Sequence, residues 1–260
     1  MRIDQLLVSR GLVPSRSAAQ RLIDSGAVRW RASDDWCVPR KAGDEIPDGS
    51  QLEITDHAEL RWVSRGGLKL DDALAHCGLD VHGQICLDVG QGRGGFTEVL
   101  LARSAARVVG VEVGHAQLQP RLRDDPRVRV FEGVNARHLA PEQLADAMPP
   151  AGFDLICGDL SFISLTLVIP ALEPLLAPAG ELLLLVKPQF ELQRAQIGKG
   201  GIVKSPRLYI EVEARLREAC TTAGLRVRQW LPSAIVGGDG NREFFIRAVR
   251  AARREEQSYV

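Results

Sequence analysis

Seven short apolar runs, separated by stretches of helical pattern, constrain the fold of this chain more than any other feature. They lie at residues 85–89, 108–113, 128–131, 155–157, 181–186, 225–230 and 244–249. Apolar strands that alternate with helices pair with one another in a doubly wound α/β sheet. A glycine-rich loop joins the last two runs, so we expect that pair to be antiparallel at one edge. The sequence therefore predicts a seven-stranded α/β sheet from residue 85 onward.

The residues ahead of the sheet have the pattern of a small α+β unit. Ser15 is placed to cap a helix that carries Leu22 and Ile23 on one face, and Gly26 is placed to end it. Short strands are predicted at Val28, Val38, Ile46 and residues 51–54. We assign the chain to four segments: a small domain at 1–59, a linker at 60–69, a large domain at 70–250 and a polar tail at 251–260.

Charge divides the small unit in two. Residues 1–31 carry six arginines and two acids, a net of +4, whereas residues 32–57 carry two basic residues and seven acids, a net of −5. The whole chain has 33 basic and 33 acidic residues, which excludes a protein that is basic over its whole surface but not one local phosphate-binding face. The alternative for that face is a solvated helix surface. We predict RNA contacts from Arg2, Arg10, Arg16 and Arg21.

Cysteine usage and hydropathy exclude several classes of protein. The five cysteines are widely spaced and form no C-x-x-C pair, which argues against a disulfide framework and against a structural zinc site. The N-terminus lacks a signal-peptide pattern, and proline and glutamate interrupt the most apolar stretch, residues 163–186. We therefore expect a reduced, cytoplasmic chain that binds no metal and does not enter a membrane.

A glycine-rich loop follows the first strand of the predicted sheet. Gly90, Gly92 and Gly95 fit the pattern G-x-G-x-x-G, and Glu112 lies about 20 residues further on, where an acid can accept hydrogen bonds from ribose hydroxyls. The pattern predicts an adenosine-type cofactor but does not choose between NAD and S-adenosylmethionine. Asp88, two residues ahead of the first glycine, favours the cofactor that carries a positive sulfonium.

Four lone charges stand at places where α/β enzymes position catalytic groups. Asp159 and Lys187 each follow an apolar strand, Lys69 lies just ahead of the first helix of the large domain, and Glu243 lies where the last strand begins. Asp159 is not followed by the Pro-Pro-aromatic pattern that amino-methyltransferases commonly use, which argues against methylation of a base nitrogen.

The order Lys, Asp, Lys, Glu suits the methylation of an alcohol. A ribose hydroxyl is a weak nucleophile and must lose its proton as it attacks an electrophilic methyl group. A lysine amine can accept that proton only in its neutral form, which burial and a neighbouring positive charge both favour. The two carboxylates would then hold and orient the amines.

Taken in order, these motifs resemble the TlyA-type, FtsJ-related family of ribosomal-RNA ribose 2′-O-methyltransferases over nearly the whole chain. The matching stretches are residues 2–7, 15–28, 64–69, 88–97, 112–114, 158–165, 186–191 and 240–244. The chain departs from the family pattern at residues 91–93 and within 132–135, and Arg29, Trp30 and Arg31 replace the usual Val-Asn-Gly. The resemblance implies a Rossmann-like methyltransferase sheet with a small N-terminal S4-like RNA-binding domain.

The resemblance also implies the roles of individual residues. The catalytic tetrad would be Lys69, Asp159, Lys187 and Glu243, with Lys187 as the base. S-adenosylmethionine would be held by Gly90, Gly92, Gly94, Phe96, Glu112, Asn135 and Asp159. The substrate would be a cytidine of ribosomal RNA within an assembled subunit, and the linker residue Arg65 would also contact RNA.

A glycine-rich segment between residues 189 and 205 carries Lys199 and Lys204. We interpret it as a basic loop that becomes ordered over substrate RNA, although an ordinary surface loop has the same composition. Three other functions stay open: a membrane-active haemolysin, an RNA-binding module with a vestigial cofactor site, and a nicotinamide-dependent enzyme.

Overall fold

A computed structural model describes residues 1–57, 60–203 and 205–251, and divides the chain into two compact units, Met1–Arg65 and Gly66–Val260. Lys204 and, apart from Ala251, the predicted polar tail lie outside the described residues. The division falls inside the predicted linker, residues 60–69. The second half of that linker is helical. Residues 65–69 already form the start of a helix, because its buried face, which includes Leu70 and Leu74, continues back to Gly66.

The first unit consists of two helices and a two-stranded antiparallel sheet. Its elements are α1 (Ile3–Ser9), α2 (Arg16–Asp24), β1 (Val28–Arg31) and β2 (Gln51–Ile54). The predicted cap of α2 is confirmed, since Ser15 Oγ accepts a hydrogen bond from Ala18 N at 3.2 Å, and Gly26 follows the helix with a φ of +74°. The predicted strands at Val38 and Ile46 are wrong.

Single residues next to those two positions make the β contacts instead. Cys37 bridges Trp30, and Glu45 bridges Arg2. The chain between β1 and β2 turns too often to extend either bridge into a strand, since bends and turns occupy most of residues 32–50.

Within the described residues of the second unit, seven strands form one sheet, as predicted. They are β3 (Ile85–Val89), β4 (Arg107–Glu112), β5 (Val128–Glu132), β6 (Phe153–Gly158), β7 (Leu176–Val186), β8 (Leu225–Pro232) and β9 (Phe244–Arg250). Their order is β5-β4-β3-β6-β7-β9-β8, and β9 is antiparallel to both β7 and β8. The predicted antiparallel pair at one edge is thereby confirmed.

Helices accompany this sheet along the chain. They are α3 (Arg65–Cys77), α4 (Gly95–Ala102), α5 (Pro120–Arg123), α6 (Ile169–Leu172), α7 (Pro188–Glu191) and α8 (Pro206–Thr222). The core includes fully buried residues from five neighbouring strands: Leu87, Val109, Ile156, Leu184 and Ile246. None of the helices in the described part of the chain is long and apolar enough to cross a membrane.

The strand order determines where a ligand can bind. From β3 the chain proceeds through β4 to β5 on one side, and then returns to β6 on the other side of β3. A crevice opens outside the carboxyl ends of parallel strands at such a switch point. The glycine-rich loop after β3 and Asp159 after β6 both lie at this position.

Candidate active site

The glycine-rich loop is shaped by close backbone contacts. Gly90 has a φ of +79°, and a Cβ atom there would lie 2.9 Å from the carbonyl oxygen of Asp159, so the position requires glycine. Gly92 N donates a hydrogen bond to Glu112 Oε2 at 2.9 Å, and Gly114 N donates to Glu112 Oε1 at 2.8 Å. Glu112 is therefore held by backbone groups on both sides, at the end of β4.

A buried hydrogen-bond chain supports this loop from below. Gln91 Nε2 donates to Thr97 Oγ1 at 2.7 Å, and Thr97 Oγ1 donates to Asp88 Oδ2, also at 2.7 Å. The side chain of Gln91 occupies the space beside Gly110, where a Cβ atom would lie 2.1 Å from Gln91 Cδ. Gln91, which departs from the family pattern, is thus an internal support and not a surface residue.

Asp88 supports α4 from a fully buried position. Its side chain is fully buried, and Oδ2 also accepts a hydrogen bond from Thr97 N at 3.0 Å. Burial raises the pKa of Asp88 to about 7, although the hydrogen bonds from Thr97 act in the opposite direction. The interpretation of Asp88 as an acid that faces a cationic cofactor does not match this placement.

A cavity of about 540 Å³ opens above the loop. Five of the predicted cofactor ligands line it: Gly90, Gly92, Glu112, Asn135 and Asp159. Sequence reasoning did not single out several other lining residues, which include Val113, Gln117, Val134 and Ile163. The cavity therefore combines two carboxylates at strand ends, Glu112 and Asp159, with an apolar wall.

Gly94 and Phe96, also predicted as cofactor ligands, do not line this cavity. Gly94 has a φ of +94° at the start of α4, and a Cβ atom there would lie 2.5 Å from methyl groups of Leu118 and Leu122. Phe96 is 3% exposed and stacks on Phe245 with ring centroids 6.3 Å apart. Both residues support the packing of the loop.

The four predicted catalytic residues form two ion pairs. Lys69 Nζ lies 2.5 Å from Glu243 Oε2, and Lys187 Nζ lies 2.6 Å from Asp159 Oδ1. Lys187 Nζ also donates a hydrogen bond to Ser161 Oγ at 2.7 Å. Lys69, on α3, and Glu243 are buried, whereas Asp159 lines the cavity.

Sheet register explains why three of these residues converge. Val186, the last residue of β7, is paired with Phe244, the first residue of β9. Lys187 and Glu243 are the next residues outward on these two antiparallel strands, so they lie at neighbouring strand ends. Asp159 follows β6, which is the parallel neighbour of β7 on its other side.

Phe162 is a feature of the site that sequence reasoning missed. Its side chain is 90% exposed, although its φ of +64° is costly for a bulky residue. Its ring centroid lies 5.1 Å from that of Phe190, and it lines the cavity described above. The sequence does contain a signal for it. Phe162 lies three residues after Asp159, beyond the end of β6, where the sheet is not expected to bury an aromatic side chain.

The predicted RNA-binding arginines of the first unit make internal contacts. Arg2 and Arg16 both lie 3.0 Å from Asp4 Oδ2. Burial would raise the pKa of Asp4, but these two guanidinium groups bring it below its usual value. Arg10 donates to the carbonyl oxygens of Ser50 and Asp48.

The other predicted RNA contacts lie elsewhere. Arg21 donates to Ser17 O at 3.1 Å within α2, and Arg65 is the first residue of α3. Lys199 is exposed in the second unit, and Lys204 lies outside the described residues. Across the part of the chain that the structure describes, no group of three or more histidine, cysteine, aspartate or glutamate side chains could hold a metal ion.

Comparison with known proteins agrees with the fold. The model of the FtsJ-like methyltransferase family matches residues 62–250, and the model of the S4 domain matches residues 1–29. The chain therefore belongs to the FtsJ-like methyltransferase family and carries an S4 domain at its N-terminus.

Individual relatives cover most of the chain. The 16S/23S rRNA (cytidine-2′-O)-methyltransferase TlyA of Mycobacterium tuberculosis is 41% identical over 94% of this chain and 88% of its own length. Hemolysin A of Brachyspira hyodysenteriae is 35% identical over 94% of this chain and 98% of its own. A solved structure of a candidate hemolysin from Streptococcus thermophilus is 37% identical, with a TM-score of 0.74 over 96% of this chain and 88% of its own.

Proposed function

We propose that this methyltransferase transfers a methyl group from S-adenosylmethionine to the 2′-hydroxyl of a cytidine in ribosomal RNA, within an assembled ribosomal subunit in the cytoplasm. The observation that carries the proposal is the pair Lys187–Asp159 at the edge of a glycine-floored cavity. The name of the mycobacterial relative, which specifies this reaction, supports the choice of substrate.

The residues of the first cavity fit S-adenosylmethionine. Gly90 lines the cavity without a side chain, so a ligand there can approach its backbone closely. Glu112 is held by two backbone N–H groups and retains acceptor capacity for ribose hydroxyls. Val113, Val134 and Asn135 would surround the adenine. The bound cofactor would supply an electrophilic methyl group for direct displacement.

Lys187 is the residue best placed to accept the proton of the substrate hydroxyl. Lys187 Nζ lies 2.6 Å from Asp159 Oδ1 and donates a hydrogen bond to Ser161 Oγ. Once the ammonium has released one proton to solvent, the neutral amine has a lone pair that can accept the proton of the substrate hydroxyl. As the hydroxyl O–H bond breaks, the neutral amine takes the proton and the oxygen forms its bond to the methyl carbon. Asp159 and Ser161 orient the amine during this step.

Phe162 would hold the target base beside these groups. An exposed aromatic ring can stack on any nucleobase, and base–aromatic stacking is typical of proteins that bind unpaired nucleotides. The ring lies three residues after Asp159 and lines the same cavity. The S4 domain would contact ribosomal RNA through the exposed parts of Arg2 and Arg16 and through Arg10 and Arg21, and the linker residue Arg65 would add a further contact.

Methyl transfer to purified ribosomal subunits tests the proposal directly. With tritiated cofactor we expect wild type to label RNA and Lys187→Ala to be at least about 100-fold slower. Lys41→Ala, which removes an exposed lysine of the first unit, should retain wild-type activity. Mapping of the labelled nucleotide identifies the substrate, and an unimpaired Lys187→Ala enzyme would refute the assigned base.

Three rival functions have separate tests. Leakage of liposomes caused by the pure protein would favour a membrane-active haemolysin, the activity in the name of the Brachyspira relative. Failure to bind S-adenosylmethionine in calorimetry would favour an RNA-binding module with a vestigial site. Binding of NADH without S-adenosylmethionine would favour a nicotinamide-dependent enzyme.

A further inference from the structure

A second cavity, of about 780 Å³, lies next to the first one in the second unit. Phe162 and Ile163 line both cavities, so the two share a wall. The other walls of the second cavity come mainly from residues 189–201, which comprise α7 and the loop after it. A cavity of this size can hold a ligand as large as a nucleotide. The established family and the proposed cofactor site leave it without a function.

The charges around the second cavity favour an anion. Arg194 and Lys199 line it, and no carboxylate is among its lining residues. Both side chains belong to exposed residues, and neither forms an ion pair with the rest of the described chain. Two cations without a counter-charge attract phosphate groups.

Aromatic rings add a second kind of contact. Phe190 lines the cavity, and its ring is tilted 47° relative to that of Phe162. A polar side chain, Gln189, lies beside them, and its Oε1 is buried with no hydrogen-bond partner among the residues that the structure describes. A ligand with a flat ring and a phosphate would match the aromatic rings and the two cations.

Hydrogen bonds hold the cavity walls in place. Asn241 is 1% exposed, and its Nδ2 donates to Gly201 O at 2.9 Å and to Asp239 Oδ2 at 2.8 Å. The same Asp239 oxygen accepts a hydrogen bond from Gln189 Nε2 at 2.9 Å. Gln189 and Gly201, on two walls of the cavity, are therefore both attached to the turn that leads into Glu243.

We propose that the second cavity binds the nucleotide next to the methylated one in the substrate strand. Its phosphate would lie between Arg194 and Lys199, and its base would contact Phe190. The shared wall at Phe162 supports this assignment, because the ring that we place against the target base also lines the second cavity, where the next nucleotide of the strand would lie. The inference rests on the proposed function, since it takes RNA as the substrate.

The double variant Arg194→Ala/Lys199→Ala tests the assignment in the full-length protein. We expect KM for ribosomal subunits to rise about tenfold, kcat to change less than about twofold, and the salt dependence of RNA binding to weaken by the loss of about two phosphate contacts. Affinity for S-adenosylmethionine should stay the same. The matched control is Arg226→Ala/Arg228→Ala, which removes two exposed charges of β8 that do not line the cavity. An unchanged KM, or an equal rise in the control, would overturn the assignment.

A binding experiment separates this inference from the proposed function. Fluorescence anisotropy with a short labelled single-stranded RNA reports on the cavity even if no methyl group is transferred. If wild type binds the RNA but methylates nothing, the proposed function fails, and weaker binding by the double variant still supports the subsite. If inorganic phosphate or free cytidine monophosphate binds as tightly as the oligonucleotide, and the double variant loses that binding, the cavity is a site for a free anion and the strand assignment fails.

Discussion

The two lysine–carboxylate pairs of the second unit contain the same chemical groups in different surroundings. The side chains of Lys69 and Glu243 are 7% and 3% exposed, whereas those of Lys187 and Asp159 are 13% and 24% exposed. Asp159, of the second pair, lines the first cavity, and neither Lys69 nor Glu243 does. The difference in burial suggests different roles for the two pairs. The accessible pair, Lys187–Asp159, can contact substrate, whereas the buried pair, Lys69–Glu243, attaches α3 to the turn ahead of β9.

Replacement of Lys187 by arginine tests whether the accessible pair acts by proton transfer or only through the positive charge of Lys187. Arginine keeps the positive charge beside Asp159, but a guanidinium group does not give up a proton in proteins. We expect Lys187→Arg to lower kcat by about 10³-fold, as loss of a general base does. Single-turnover methyl transfer measures the effect. A variant that retains a tenth of the wild-type rate would show that charge, and not proton transfer, is the contribution of Lys187.

Replacement of Lys69 by methionine probes the buried pair. Loss of one partner leaves Glu243 buried without its cation, which costs about 3–5 kcal/mol. We expect Lys69→Met to lower the free energy of unfolding by that amount in chemical denaturation, whereas Lys187→Met should lower it by less, because the Asp159 carboxylate that is left behind keeps more access to solvent. The double variant Lys69→Met/Glu243→Met should recover most of the stability without recovering activity. A stable Lys69→Met protein would remove the distinction between the two pairs.

The separate parts of the site could be predicted from the sequence because each has a local signal. Apolar runs indicate the strands, glycines after β3 indicate a close backbone approach, and Asp159 and Lys187 are lone charges directly after buried strands. Their convergence follows from the rule that the carboxyl ends of parallel strands meet at one edge of a sheet. The seven-stranded sheet and its antiparallel edge are confirmed on the same basis.

The pairing of side chains could not be predicted, because it depends on contacts between distant residues. Lys69 and Glu243 are 174 positions apart, and no sequence spacing relates them. Gly94 has the same local context as Gly90, but its space is filled by Leu118 and Leu122. Arg2 and Arg16 were predicted as a phosphate-binding face, and nothing in their spacing indicates that both would contact Asp4.

Asp88 extends the comparison to a buried carboxylate that has no cationic partner in the described part of the chain. Burial raises its pKa to about 7, so the folded state favours the protonated acid. That contribution to stability is complete below the ordinary pKa near 4, and it is lost as the pH rises toward 7. We expect wild type to lose stability relative to Asp88→Asn by on the order of 1 kcal/mol per pH unit in this range. Denaturation curves recorded from pH 5 to pH 7 measure the difference, and parallel pH profiles would contradict it.

Phe162 should contribute to substrate binding beside the Lys187–Asp159 pair and not to the stability of the core. Its replacement should have the smallest effect of the variants considered. Because the ring is 90% exposed, its removal should leave the unfolding temperature unchanged. Loss of a stacking partner for one base should lower kcat/KM for ribosomal subunits about tenfold in Phe162→Ala, since such a contact contributes about 1–3 kcal/mol. Phe162→Trp should retain activity because it keeps a ring. Ile210→Ala, which removes another exposed apolar side chain of the second unit, is the matched control. An equal effect of the two alanine variants would mean that Phe162 contributes only apolar surface, and the link between its exposed ring and the Lys187–Asp159 pair would be lost.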